Sequence, residues 1–148
     1  MTKIAMAADH AAFQLKETIK GYLTEKGFEI KDFGTYSTDS CDYPDFAHPA
    51  AEAVEKGECL FGIGMCGSGN GMQISLNKHQ GIRAALCWLP QLGELARQHN
   101  DANFLVLPAR FITEEEAKKI VDAYICASFE GGRHSRRVAK IPVEGEVI

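Results

Sequence analysis

Short apolar runs alternate with longer stretches of helical periodicity along the whole chain, and this alternation constrains the fold more than any other feature. Lys3–Ala7, Phe28–Phe33, Cys59–Gly64, Ile82–Cys87 and Phe104–Leu107 read as strands. His10–Lys26 carries Phe13, Leu15, Ile19, Tyr22 and Leu23 near helical spacing and stops at Gly27. Ala47, Ala50, Ala51 and Val54 mark a second helix closed by Gly57, and Met72–Lys78 and Pro90–His99 mark two more. Thr113-Glu-Glu-Glu116 is a capping box that opens a helix to about Ser128. Thr35–Asp45 is the longest loop, and Glu130–Ile148 is a tail with a short final helix. Strands separated by helices of this length pair in parallel through right-handed crossovers. The uninterrupted apolar run Cys59–Gly64 suits a strand buried on both faces. The expectation is one α/β domain over residues 1–148, with 130–148 as its C-terminal helix and tail. Its form is a Rossmann-like three-layer α/β/α sandwich around a five-stranded parallel sheet.

A chain of 148 residues can bury enough surface to fold without a disulfide or a metal. Its 16 basic and 20 acidic residues leave a net charge of −4, which argues against nucleic-acid or membrane-surface binding. Five cysteines, at 41, 59, 66, 87 and 126, are an odd number with no C-x-x-C, so zinc ribbons and a secreted disulfide framework are poorly supported. No apolar run reaches the roughly 18 residues of a membrane span, and Met1-Thr2-Lys3 leads directly into a strand. These features point to the cytoplasm.

Ligands of parallel α/β sheets bind beyond the carboxyl ends of the strands. Attention therefore falls on Ala8–His10, Met65–Gly71, Trp88–Pro90 and Pro108–Arg110. The richest segment is Gly62-Ile-Gly-Met-Cys-Gly-Ser-Gly-Asn-Gly71. Its glycines let the backbone turn sharply and aim several amides at one point ahead of a helix, which suits a phosphate or a developing oxyanion. Gly62-x-Gly64-x-x-Gly67 also matches the dinucleotide fingerprint. However, it starts inside the third strand, and no acidic residue lies near 20 positions on. Cys66 sits in the turn, where helix amides lower a thiol pKa and yield a nucleophile or a base. Cys59, Cys87 and Cys126 fall in strand or helix patterns and read as inert. Asp9 either caps the following helix or serves the site, and the two roles are compatible. His99, at a helix end, is equally a dipole partner or a chemical group. His48 and His79 read as structural or surface residues. Arg133, Arg136 and Arg137 are either a solvated tail or a phosphate clamp. Arg133 and Arg137 share a helix face.

Taken together, Ala8-Asp-His10, Asp42-Tyr-Pro44, Cys66-Gly-Ser-Gly-Asn-Gly71, Asn77-Lys78, Gly81-Ile-Arg-Ala84, Arg97-Gln-His-Asn-Asp101 and Glu130-Gly-Gly-Arg-His134 are specific. From Met1 to about Ile141 the chain resembles the ribose-5-phosphate isomerase B family, which shares its fold with galactose-6-phosphate and allose-6-phosphate isomerases. The resemblance implies interconversion of an aldose phosphate and a ketose phosphate through an enediolate, with no metal and no organic cofactor. It implies Cys66 as the base that moves the proton. The amides of Gly67, Ser68, Gly69, Asn70 and Gly71, with the Ser68 side chain, would form the anion hole. His99 would open the furanose ring, with Asp9 near the ring oxygens and Asn100 on the substrate. His10, Arg110, Arg133 and Arg137 would hold the phosphate. It further implies a homodimer with shared sites, in some members a dimer of dimers, and the strand order 2-1-3-5-4.

One branch of the family uses a glutamate one residue after the turn, where this chain has Met72, so Cys66 has no visible substitute. The intact Arg97-Gln-His99-Asn100 favours a substrate that must be ring-opened, such as ribose 5-phosphate. Trp88-Leu89-Pro90 is a less familiar form of its segment and leaves a six-carbon substrate open. A sugar-phosphate-binding protein without turnover needs neither Cys66 nor His99. A flavodoxin-like module would carry bound flavin or nucleotide.

Overall fold

The computed structural model describes residues 1–143. Five strands, β1 (Lys3–Ala8), β2 (Glu29–Asp32), β3 (Phe61–Cys66), β4 (Ala84–Leu86) and β5 (Phe104–Pro108), form one parallel sheet in the order β2-β1-β3-β5-β4. The helices are α1 (Phe13–Glu25), α2 (Pro44–Glu55), α3 (Asn70–Leu76), α4 (Pro90–Asn100), α5 (Glu114–Cys126) and α6 (Arg133–Ala139). The expected architecture and strand order are both present. Within the tail assigned to 130–148, α6 is the short final helix, and residues 144–148 lie outside the described part.

Element boundaries differ from the sequence expectation where local geometry overrides periodicity. A 3-10 turn, His10–Ala12, precedes α1, because Asp9 accepts the Ala11 N–H at 3.0 Å and closes a tight first turn. Cys59 and Leu60 precede the third strand: the Cys59 amide is tied back to Ala53 on α2, and the Leu60 amide bonds Lys3 O at the start of β1. Pro44 opens α2 at its first turn, where a missing N–H costs nothing. This takes Pro44 and Asp45 out of the expected loop. The capping box at Thr113 forms in both directions, with Thr113 Oγ1 accepting from Glu116 and Glu116 Oε1 from Thr113.

Strand alternation divides the core into two slabs. Ile4, Met6, Ile63, Met65, Leu105 and Leu107 face α1, α4 and α5, whereas Ala5, Ala7, Phe104 and Val106 face α2 and α3. The second slab is shallow: α2 presents Ala47, Ala50, Ala51 and Ala53, so its backbone lies close to β1. Gly62 carries no side chain for a related reason, since a Cβ there would sit 2.2 Å from the buried Phe104 ring.

One buried group is unusual. The side chain of Lys16 on α1 is 0% exposed, with Nζ 2.5 Å from Asp32 Oδ2 and 2.8 Å from Glu17 Oε2. Burial alone would raise the Asp32 carboxyl. Hydrogen bonds from Lys16, Lys20 and the Gly34 N–H outweigh it and hold the carboxyl below its ordinary range. The held segment continues the sheet past the end of β2: Gly34 O accepts the Ala8 N–H and Thr35 N–H donates to Ala8 O, each at 2.7 Å. The residue before Asp9 is therefore held through both its N–H and its carbonyl.

Candidate active site

Cys66 is the last residue of β3, buried beneath the turn that leads into α3. Gly69 takes the left-handed conformation at φ 82°, Ser68 Oγ accepts the Asn70 N–H at 3.2 Å, and the amides that follow point back toward the sulfur. Burial pushes the Cys66 thiol above its ordinary range. Hydrogen bonds from the amides of Met72, Gly69 and Gly71 oppose this and the nearby Asp9 carboxylate adds to it, leaving the thiol raised. The lowering expected from the helix amides is thus overturned, because desolvation is the larger effect.

The neighbours of Cys66 come from the other strand ends. Asp9, after β1, is buried, donates its N–H to Met65 O at 3.3 Å and caps the turn that carries His10. Both roles weighed for Asp9 are compatible with this position. His10 Nδ1 accepts the Cys41 N–H at 3.2 Å, which leaves Nε2 to carry the proton. Arg110, after β5, donates its N–H to Gly67 O, and its guanidinium covers Gly67 at 3.2 Å from where a Cβ would lie. Gly71 lies under the Tyr43 ring, whose atoms would be 2.3–2.7 Å from a Cβ. Trp88 shares a groove with Ser68, Asn70 and Phe111, so the Trp88-Leu89-Pro90 segment does border the turn. Asp9, His10, Cys66, Gly67, Ser68, Gly69, Asn70, Gly71 and Arg110 thus gather at one edge of the sheet.

The remaining expected residues do not join them. His99 and Asn100 end α4, which runs back from the carboxyl edge, and Asn103, two residues past the Asp101 cap, bonds Arg83 O at the start of β4. The register of β3 against β5 runs from Gly62↔Phe104 to Cys66↔Pro108, four steps or about 13 Å of strand. His99 therefore lies across the sheet from Cys66 in the same chain. Arg133 and Arg137 on α6 lie with His99, since Glu130 N–H donates to Gln98 O and starts that segment beside the end of α4. Among the described residues, no carboxylate pairs with Arg133, Arg136 or Arg137. The arginines are available to an anion, but the four expected phosphate groups fall into two pairs, His10 with Arg110 and Arg133 with Arg137.

Sequence reasoning missed the company His99 keeps. Its ring stacks on His134 at 4.2 Å between centroids and 13° between planes, with Glu130 Oε1 at 3.8 Å from His99 Nε2 and 3.5 Å from His134 Nε2. The run Glu130-Gly-Gly-Arg-His134 held this signal in its i, i+4 spacing, but nothing local tied it to α4. Cys59 and Cys87 are buried, and burial alone pushes Cys87 up to about 12, consistent with inert core thiols. Cys126, expected to be inert in the fifth helix, is exposed at its end. His48 and His79 do have partners: they share a 2.7 Å contact, and His79 Nδ1 lies 3.4 Å from Glu55.

Over nearly its whole length the chain is similar to known proteins. The family described as ribose/galactose isomerase matches residues 4–141. The chain is 48% identical to ribose-5-phosphate isomerase B of Escherichia coli K12 over 141 residues, 95% of each chain. The crystal structure of a ribose 5-phosphate isomerase from Thermotoga maritima superposes with a TM-score of 0.94 at 53% identity, covering 96% of this chain and 98% of that one. Ribose-5-phosphate isomerase B from Mycoplasma genitalium, solved with bound ribulose 5-phosphate, gives 0.90 at 43% identity, covering 95% and 93%.

Proposed function

This chain belongs to the ribose/galactose isomerase family, and on that premise we propose that it interconverts ribose 5-phosphate and ribulose 5-phosphate through an enediolate. The observation that carries the chemistry is a single thiol, Cys66, buried at the foot of α3 with three backbone amides directed at it. A base there removes the proton from C2 of the open-chain aldose. The electron pair moves onto the C1 oxygen; the same proton then returns to C1 while the C2 hydroxyl proton passes to the C1 oxygen, leaving a hydroxyl on C1 and the ketone at C2. Charge grows on oxygen during transfer, and the preorganised amides of Gly67–Gly71 stabilise it, an effect worth several kcal/mol in sites of this kind. His99 opens the ring by moving a proton at the ring oxygen, with Asp9 and Asn100 on the hydroxyls. His10, Arg110, Arg133 and Arg137 take the phosphate far from the reacting carbons and so fix geometry. None of these steps requires a metal or an organic cofactor.

His99 cannot reach Cys66 within one chain, so the active unit is a homodimer in which the α4–α6 edge of one copy completes the glycine turn of the other. The five free cysteines fit a cytoplasmic enzyme, and no described helix is long and apolar enough to cross a membrane.

The test is steady-state isomerisation of ribose 5-phosphate beside allose 6-phosphate. Cys66→Ala should lower kcat by about 10²–10⁴-fold while sparing affinity for the phosphate. Because the thiol is raised, kcat/KM for the wild type should still climb past about pH 8.5, as the thiolate fraction grows. Near-wild-type turnover by Cys66→Ala would move the base elsewhere. Preference for allose 6-phosphate would keep the mechanism and change the substrate.

A further inference from the structure

The pairing of His99 with Glu130 and His134 has a chemistry that isomerisation does not use. His134 is 7% exposed, and its Nε2 has no hydrogen-bond partner, an expensive state for a buried nitrogen. That atom faces Glu130 Oε1 at 3.5 Å, and Glu130 Oε1 is 3.8 Å from His99 Nε2. The ligand atoms of the three residues all lie within 4.8 Å of one another. Two imidazoles and one carboxylate make up a donor set that zinc takes with a fourth position left open. We propose that His99, Glu130 and His134 form a binding site for a borderline divalent cation of the zinc type, which shuts the enzyme off by occupying His99.

Tetrahedral donors about 2.0–2.2 Å from zinc stand about 3.3 Å apart, so the pair around Glu130 needs only a small contraction. Glu130 can supply it, being half-exposed and followed by two glycines at φ 69° and 55°. His134 is fixed by burial. The stack sets the remaining requirement. An imidazole lone pair lies in the plane of its ring, so two rings stacked at 13° cannot both aim at one ion. His99, with its side chain 38% exposed, is the ring that turns. Ligation therefore breaks the stack and takes His99 out of its catalytic orientation.

Equilibrium dialysis of the intact protein against zinc chloride, in a buffer that does not chelate, tests the site directly. One zinc per chain should be retained. Glu130→Gln and His134→Asn should each weaken retention at least as much as the about 10–100-fold that loss of a supporting group costs. Glu130 is exposed enough that Glu130→Gln keeps the fold even if His134→Asn does not. His48→Asn should leave retention unchanged, because the His48–His79 pair lies elsewhere. No retained zinc, retention at the wild-type level in both variants, or loss in His48→Asn alone would overturn the site. Inhibition rests on the proposed function: zinc should lower kcat for ribose 5-phosphate in the wild type and not in Glu130→Gln. If the protein bound zinc but turned over no sugar, the isomerase reading would fail and the site would stand.

Discussion

Gly71 shows what a single missing Cβ does for the site. It sits in the first turn of α3 with no positive φ, so the helix itself would accept alanine. What excludes a side chain is the Tyr43 ring lying 2.3–2.7 Å from the Cβ position. Tyr43 is partly exposed and can swing away, whereas the Phe104 ring over Gly62 is fully buried and cannot. Gly71→Ala should therefore cost about 1–3 kcal/mol, within the range for overpacking, and Gly62→Ala should cost more. Urea denaturation checks both. A double-mutant cycle with Tyr43→Ala should return most of the Gly71→Ala loss, and an additive cycle would mean that the ring is not the obstacle. The sequence could show that five glycines crowd ten residues but not that Gly62, Gly67 and Gly71 answer to Phe104, Arg110 and Tyr43, because those neighbours come from remote segments.

Helices and strands were legible because their signals are local. The Thr113 capping box lies within four residues, and the alternation in β5 divides directly into the two core slabs. Lys16 was not legible. A lysine on an otherwise amphipathic helix reads as a solvated charge, and its burial depends on Asp32 arriving from the next strand. The pair links α1 to the segment that holds Ala8, the residue before Asp9. Removing one partner of a buried ion pair leaves a charge uncompensated, so Lys16→Met should destabilise the protein by about 3–5 kcal/mol, less what Lys20 recovers by its own 2.8 Å bond to Asp32. The pH dependence follows from the same carboxyl. Its folded pKa is depressed, so its stabilisation is complete above the unfolded value of about 3.9 and lost as pH falls through the lower folded value. Thermal melts between neutrality and pH 3 should show a shallower acid loss in Lys16→Met than in the wild type; parallel curves would show that the pair does not carry acid stability.

At the scale of the molecule, the residues of the glycine turn and those at the end of α4 lie at opposite edges of the sheet within one chain. The reason lies in the fold, since a crossover helix returns the chain to the opposite edge of the sheet, so a group at its carboxyl end cannot serve the carboxyl ends of the strands in its own copy. The alternation of strands and helices already implied this, but it became a constraint only once Cys66 was placed at the end of β3 and His99 at the end of α4. Subunit complementation tests the shared site. Cys66→Ala and His99→Asn should each be nearly inactive alone. In a mixed dimer, one site joins both defective residues and the other joins an intact Cys66 from one copy to an intact His99 from its partner. Random exchange makes half the dimers mixed, each with one working site, so about a quarter of wild-type activity should return when the two inactive proteins are dissociated and reassociated together. Sites contained within a single copy predict no recovery at any mixing ratio. The reassociated mixture therefore separates the two architectures by whether activity appears from components that have none.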